Sequence, residues 1–166
     1  MRDKVVNGLF AIACLGVVLS ASWYGYTQYE NYYLARHIPS VKVGDLMRVK
    51  EATGRPTLLM EVSSTCPHCK ANEPLYGQLR NLPKIQDGQV QLVVAMIAPE
   101  QKDAQDFMVR NSLPGKLIVE SNYKKFGFTF FGTPTLALLD ASGKVSKVWT
   151  GEIHEEKEKE FLAALR

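Results

Sequence analysis

The residues best equipped for chemistry are Cys66 and Cys69, which enclose Pro67 and His68 in the run Cys66-Pro67-His68-Cys69. Two cysteines at this spacing can form a redox dithiol, half of a zinc site or a haem attachment point. Haem attachment requires a histidine directly after the second cysteine, and Lys70 stands there. A closed zinc site takes about four Cys or His ligands. The chain has three cysteines, of which Cys14 lies in an apolar stretch, and His37 and His154 are remote in sequence. Exchange between thiols and disulfides is the chemistry that suits the pair.

That chemistry depends on a helix start. With Cys66 at the beginning of a helix, Cys69 follows one turn later on the same face, within bonding reach. Pro67 then falls at the first helical position, where its missing N–H costs nothing and its fixed φ suits the helix. A Cys66 thiolate there meets unpaired backbone N–H groups and the positive end of the helix dipole, typically about 0.3–1 kcal/mol and up to about 2 when partly buried. One pKa unit is roughly 1.4 kcal/mol, so the dipole lowers the Cys66 pKa by about one unit. Direct donors and the His68 ring would supply any further depression. Cys66 is therefore expected to attack, and Cys69, one turn deeper, to resolve the mixed disulfide.

The flanking sequence supplies such a junction. Thr57 to Val62 is an apolar run of strand length ending at the cysteine motif, where a helix begins. Val90 to Ala98 is almost wholly apolar, as expected of a central strand covered on both faces. Glu100 to Asn111 reads as a helix, Lys116 to Glu120 as a short strand and Asn122 to Phe126 as a helical turn. Thr135 to Asp140 and Lys144 to Thr150 flank Ala141-Ser142-Gly143 and predict a β-hairpin. A last helix follows Gly151, with Phe161, Leu162 and Leu165 on its apolar side. Upstream, Leu46, Val49 and Ala52 share one helical face, predicting a helix over Asp45 to Thr53 that Gly54 ends. Together these elements call for an α/β domain with a mixed central sheet and helices on both sides.

Val5 to Tyr26 carries no charge and is long enough to cross a hydrocarbon core roughly 30 Å thick. Arg2 and Lys4 precede it, and Trp23, Tyr24, Tyr26 and Tyr29 mark its far end as an interfacial belt. The expected organisation is a membrane anchor over 1–26, a juxtamembrane linker over 27–44 and a domain over 45–166, with the amino terminus inside and the domain outside the cytoplasm. Signal-peptidase cleavage after Ser20, Ala21 and Ser22, or lipidation of Cys14, would export the domain equally. A net charge of +3 without a dense Lys/Arg block argues against nucleic acid as a partner. A hydrophobic share of 46% is ample for one folded core.

The run from Cys66 to Pro74, with Lys70 directly after the second cysteine and Pro74 eight residues after the first, resembles the thioredoxin superfamily. Gly132-Thr133-Pro134-Thr135 extends the likeness, standing where that family places its cis-proline loop. The resemblance implies a thioredoxin fold, a cis peptide at Pro134, a loop packed against the sulfurs, and a Thr133 backbone able to pair with a bound peptide. The segment Glu100 to Glu120 is similar to the insertion of TlpA-type exported thioredoxins, the Pro-His dipeptide to the periplasmic Dsb oxidase, and the Thr before proline to the Dsb isomerase group. Two positions depart from the family. Thr65 replaces a frequent aromatic before the first cysteine, and Met60 stands where the family's buried acid is usual, with Glu61 one residue later. Glu61 is a candidate proton relay or, because a one-residue shift turns a strand side chain to the other face, a plain exposed or paired carboxylate.

The resemblance implies a protein-disulfide oxidoreductase acting on exported thiols and disulfides, with a membrane redox partner, a bilayer contact through residues 5–26 and no cofactor beyond the Cys66–Cys69 disulfide. His68 would favour an oxidising disulfide, whereas the TlpA-like insertion and the tether would suit a reductase dedicated to one client. A thioredoxin-fold factor that binds clients without redox turnover is the alternative. Peroxide reduction is disfavoured, because Ser63 stands where that chemistry usually has Thr.

Overall fold

A computed structural model of the chain describes residues 14–29, 41–52, 54–120 and 132–166. The chain divides into two units, Met1–Ile38 and Pro39–Arg166. In the first, residues 14–29 form helix α1, whose Leu15, Val17, Val18, Leu19, Trp23, Tyr24, Tyr26 and Tyr29 are all exposed. Among the described residues no helix is long and apolar enough to cross a membrane. The expected span reaches upstream of α1 into residues 5–13, which lie outside the described residues, as do most of the expected linker, His37 and the helical turn expected at Asn122 to Phe126.

The second unit is built on five strands: β1 (Thr57–Ser63), β2 (Gln91–Ile97), β3 (Lys116–Glu120), β4 (Thr135–Leu139) and β5 (Val145–Thr150). Their order is β3-β2-β1-β4-β5. β1, β2 and β3 run parallel, while β4 and β5 are antiparallel to their neighbours. The apolar runs read from sequence are the central strand and one of its neighbours: Leu58, Leu59, Met60 and Val62 of β1 and Val93, Val94, Ala95 and Met96 of β2 are fully buried.

Helices α2 (Pro67–Ala71), α3 (Glu73–Leu79) and α4 (Pro83–Gln86) connect β1 to β2, and α5 (Gln101–Arg110) connects β2 to β3. Both crossovers advance in one direction across the sheet, so right-handed connection places their helices on the same face. Cys69, Tyr76, Leu79, Phe107 and the α6 (Glu156–Leu165) residues Phe161 and Leu165 accordingly share one core with Leu58, Met60, Val62, Val94 and Met96. Trp149 meets Phe161 edge to face there, ring centroids 5.0 Å apart.

The opposite face carries Leu59, Val93, Ala95, Ala137, Leu139 and Val145, together with Met47 and Val49. These last two correct the helix expected over Asp45 to Thr53. Met47 and Val49 are buried two residues apart and Leu46 is exposed, a period of two rather than of a helix. The hairpin decides this, since Leu46 bridges Lys144, Met47 N–H donates to Gly143 O at 2.9 Å and Val145 N–H donates to Asp45 O at 2.8 Å. Gly143 is required at this approach: its φ is +86° and a Cβ would lie 2.6 Å from Met47 O. Val41 also packs on this face, upstream of the expected boundary at Asp45.

Candidate active site

Strand β1 delivers the chain to a tight turn in which Cys66 N–H donates to Ser63 O at 3.2 Å. Cys66 is the N-cap of α2 and Pro67 opens the helix, as the spacing predicts. The Cys66 sulfur acts as the capping group, accepting from Cys69 N–H at 3.3 Å. Helix α2 is only five residues long and gives way at Asn72 to α3, with Pro74 in the first turn of the new helix. A helix this short carries little macrodipole. Local donors, rather than the dipole, act on the thiolate.

The Thr133–Pro134 peptide is cis. Cys66 Sγ–H donates to Thr133 O at 3.1 Å, so the loop lies against the attacking sulfur. The two regions are further braced. Gly151 N–H donates to Pro134 O at 2.9 Å, Asn72 Nδ2 donates to Gly151 O at 3.0 Å, and Ile153 N–H donates to Asn72 Oδ1 at 3.0 Å. Buried Asn72 thus ties the α2–α3 junction to the end of β5.

Cys66 and Cys69 are free thiols in unlike surroundings, the first partly exposed and the second buried. Burial by itself would push Cys66 up, but hydrogen bonds from the Thr133 and Cys69 side chains and from the backbone N–H groups of Cys69 and His68 outweigh it, and the thiol titrates below its ordinary value. Cys69 is pushed up to about 12, mainly by burial, with Cys66 adding to the rise against a backbone donor at Ser63. Alkylation of the reduced full-length chain with iodoacetamide at pH 7 should therefore modify Cys66 and spare Cys69. Peptide mapping by mass spectrometry checks this, and equal labelling of the two would contradict the assignment.

His68 is raised above its ordinary value, first by its hydrogen bond to Glu152. Its Nδ1 lies 2.6 Å from Glu152 Oε1, and His154 Nε2 lies 2.8 Å from Glu152 Oε2. A cleft of about 340 Å³ opens beside the dithiol, lined by Ser64, both cysteines, Lys70, Phe107 and Arg110. Phe107 and Arg110 belong to α5, so the inserted segment walls the site. Among the described residues, no group of three or more His, Cys, Asp or Glu side chains is placed to hold a metal ion.

Cys66, Pro67, His68, Cys69, Thr133 and Pro134 converge at one end of the sheet. Glu61 does not join them. It is 2% exposed and pairs in register with Ala95 and Thr135, on the face away from Met60 and Cys69. Its carboxyl is pushed up to about 8 by burial. Sequence reasoning missed Glu152 and Asn72. Nothing local marks Glu152, which is 84 residues from His68. Asn72 had a signal, since a polar residue three positions after a buried cysteine shares its helical face.

A sheet of this order, with a dithiol held against a cis-proline loop, is the arrangement of a thioredoxin-type domain. The chain belongs to the thioredoxin-like domain family, which it matches over residues 43–166. It is similar to the thiol-disulfide oxidoreductase ResA of Halalkalibacterium halodurans, at 21% identity over 99% of this chain and 97% of the relative. Among solved structures it resembles StoA from Bacillus subtilis, with 22% identity, a TM-score of 0.53, and 75% and 98% of the two chains covered. It also resembles the thioredoxin domain of a thiol-disulfide oxidoreductase from Bacteroides vulgatus, with 12% identity, a TM-score of 0.57, and 76% and 100% covered. At these identities the structural likenesses establish the fold.

Proposed function

We propose that the protein is a thiol-disulfide oxidoreductase acting on cysteines of exported proteins, with Cys66 as nucleophile and Cys69 as resolving thiol. The observation that carries this reading is the division of labour between the thiols: Cys66 lowered and accessible, Cys69 buried and pushed up to about 12. The Cys66 thiolate attacks a client disulfide, forming a Cys66–client S–S bond while the other client sulfur departs as thiolate with the electron pair. Cys69 then loses its proton and attacks Cys66 Sγ. The Cys66–Cys69 disulfide forms and the second client sulfur leaves as thiolate, so two electrons pass to the client; the reverse sequence oxidises a client dithiol. ResA, named as a thiol-disulfide oxidoreductase, supports the same reading by similarity.

Pro67 fixes the helix start, His68 stabilises the thiolate, and the Thr133–Pro134 loop receives the client backbone beside Cys66. The redox-active disulfide is the sole redox group this scheme requires. Donors that stabilise the Cys66 thiolate stabilise the reduced form and make the disulfide more oxidising. His68→Gln should accordingly lower the reduction potential of the full-length chain by on the order of 10–30 mV against a glutathione buffer. An unchanged potential would remove His68 from the mechanism, and failure of the wild-type chain to accelerate exchange in a disulfide-bonded protein would remove the function. A relay role for Glu61 has to be indirect, because its side chain leaves β1 on the face away from Cys69.

The uncharged stretch from Val5 to Tyr26, preceded by Arg2 and Lys4 and ending in exposed aromatics on α1, supports a single membrane anchor with the domain outside the cytoplasm. Contact with the bilayer through residues 5–26 and electron exchange with a membrane redox partner follow from that placement. Labelling of Cys66 in intact cells by a membrane-impermeant thiol reagent tests it, and labelling only after lysis would place the domain inside.

A further inference from the structure

We propose that Glu152 is a positioning residue for the redox reaction, holding His68 oriented and protonated beside Cys66. The inference deepens the proposed oxidoreductase reading and rests on it. Its geometric basis is a clamp: Gly151 and Ile153, on either side of Glu152, are both hydrogen-bonded to the side chain of Asn72, at 3.0 Å each. Asn72 is itself buried and occupies the N-cap position of α3, directly behind the helix that bears His68. Gly151 N–H is also fixed to Pro134 O. Glu152 is therefore presented to His68 by a backbone held on both sides.

An exposed ion pair is ordinarily worth little, because two long side chains must be ordered to make it. Here the clamp fixes the backbone from which Glu152 extends, and the carboxylate accepts from two imidazoles, His68 through Oε1 and His154 through Oε2. With Nδ1–H of His68 given to Glu152, the imidazolium charge is held within electrostatic reach of Cys66. The charged groups acting on His68 are Glu152 and Cys66, and His154 acts on Glu152.

The sign of the effect separates this role from plain electrostatics. A carboxylate near Cys66 should by its own field disfavour the thiolate. Acting through His68, it favours the thiolate. Glu152→Gln keeps an acceptor for Nδ1–H and removes the charge. In the reduced full-length chain this substitution should lower the His68 titration midpoint observed by NMR and move the pH midpoint of Cys66 alkylation upward, slowing alkylation at pH 7 roughly two- to fivefold. Glu152→Asp should restore part of the loss. In a His68→Gln background, Glu152→Gln should leave the Cys66 midpoint unmoved or shift it downward. If Glu152→Gln lowers or leaves the Cys66 midpoint in the presence of His68, while His68→Gln raises it, the positioning role is wrong and the oxidoreductase reading stands. If His68→Gln itself leaves Cys66 unmoved, the role of His68 under that reading is wrong, and the positioning role falls with it.

Discussion

Cys66→Ser should abolish thiol-disulfide exchange, and Cys69→Ala should instead leave the first attack intact and accumulate a covalent adduct with client proteins. The asymmetry follows from where each sulfur sits. Cys66 is partly exposed and its thiolate accepts hydrogen bonds from Thr133, Cys69 and two backbone N–H groups. Cys69 is buried and pushed up to about 12. At pH 7 a thiol of that pKa is ionised in about one molecule in 10⁵, so it cannot replace Cys66 as nucleophile. Loss of Cys66 should cost at least about a hundredfold in exchange rate, down to the uncatalysed level. In Cys69→Ala the mixed disulfide has no internal thiol to resolve it. Non-reducing gels of cells expressing this variant should show higher-mass adducts that collapse on reduction and are absent from the double variant. Full cellular function in Cys66→Ser would instead favour a factor that binds clients without redox turnover.

Glu61→Gln should make the domain more stable than wild type in alkaline solution, with the difference growing with pH. Glu61 is, among the described residues, the one buried charged side chain, and its Oε2 has no hydrogen-bond partner. Burial raises its pKa from the usual 4.5 to about 8. The folded-state value lies above the unfolded one, so the stability that Glu61 permits is present in full below pH 4.5 and is lost progressively as the pH rises to about 8. Above that pH the folded chain carries a buried carboxylate, and the accumulated loss is on the order of 5 kcal/mol. A neutral amide of the same shape has no such term. It costs about 1 kcal/mol if its extra N–H finds no partner, an amount wild type loses within about one pH unit above 4.5, so the two stability curves should cross at about pH 5. Urea denaturation from pH 5 to 9 measures this, and parallel curves would show that the carboxyl is ionised in the fold. Retention of the pH profile of the resolving step in the same variant would also end the indirect relay.

Much of the domain was legible because its information is local. The apolar runs over Thr57 to Val62 and Val90 to Ala98 became the central strand and its parallel neighbour, and Ala141-Ser142-Gly143 became the turn of the β4–β5 hairpin. The spacing of the cysteines with Pro67 between them correctly specified an N-cap and a first helical position. The helix expected over Asp45 to Thr53 failed for a non-local reason. Its residues could satisfy a helical face, but the hairpin at Gly143 to Val145 offers backbone partners and an apolar sheet surface that reward an extended chain.

The sequence by itself determined that Cys66 caps a helix and Cys69 follows one turn later, because a cysteine's place in a capped helical turn depends on residues within a few positions of it. The alternation that turns Glu61 to the face opposite Met60 was also legible, being a property of the strand alone, but the burial of its carboxyl there was not. Only the tertiary structure decided what surrounds these groups. The carbonyl of Thr133 reaches Cys66 from 67 residues away and Glu152 reaches His68 from 84, with buried Asn72 holding the second approach in place. Such pairings arise from sheet order and loop closure, which no short window of sequence encodes. They govern how far each proton is shifted, because a pKa answers to every group brought close in space.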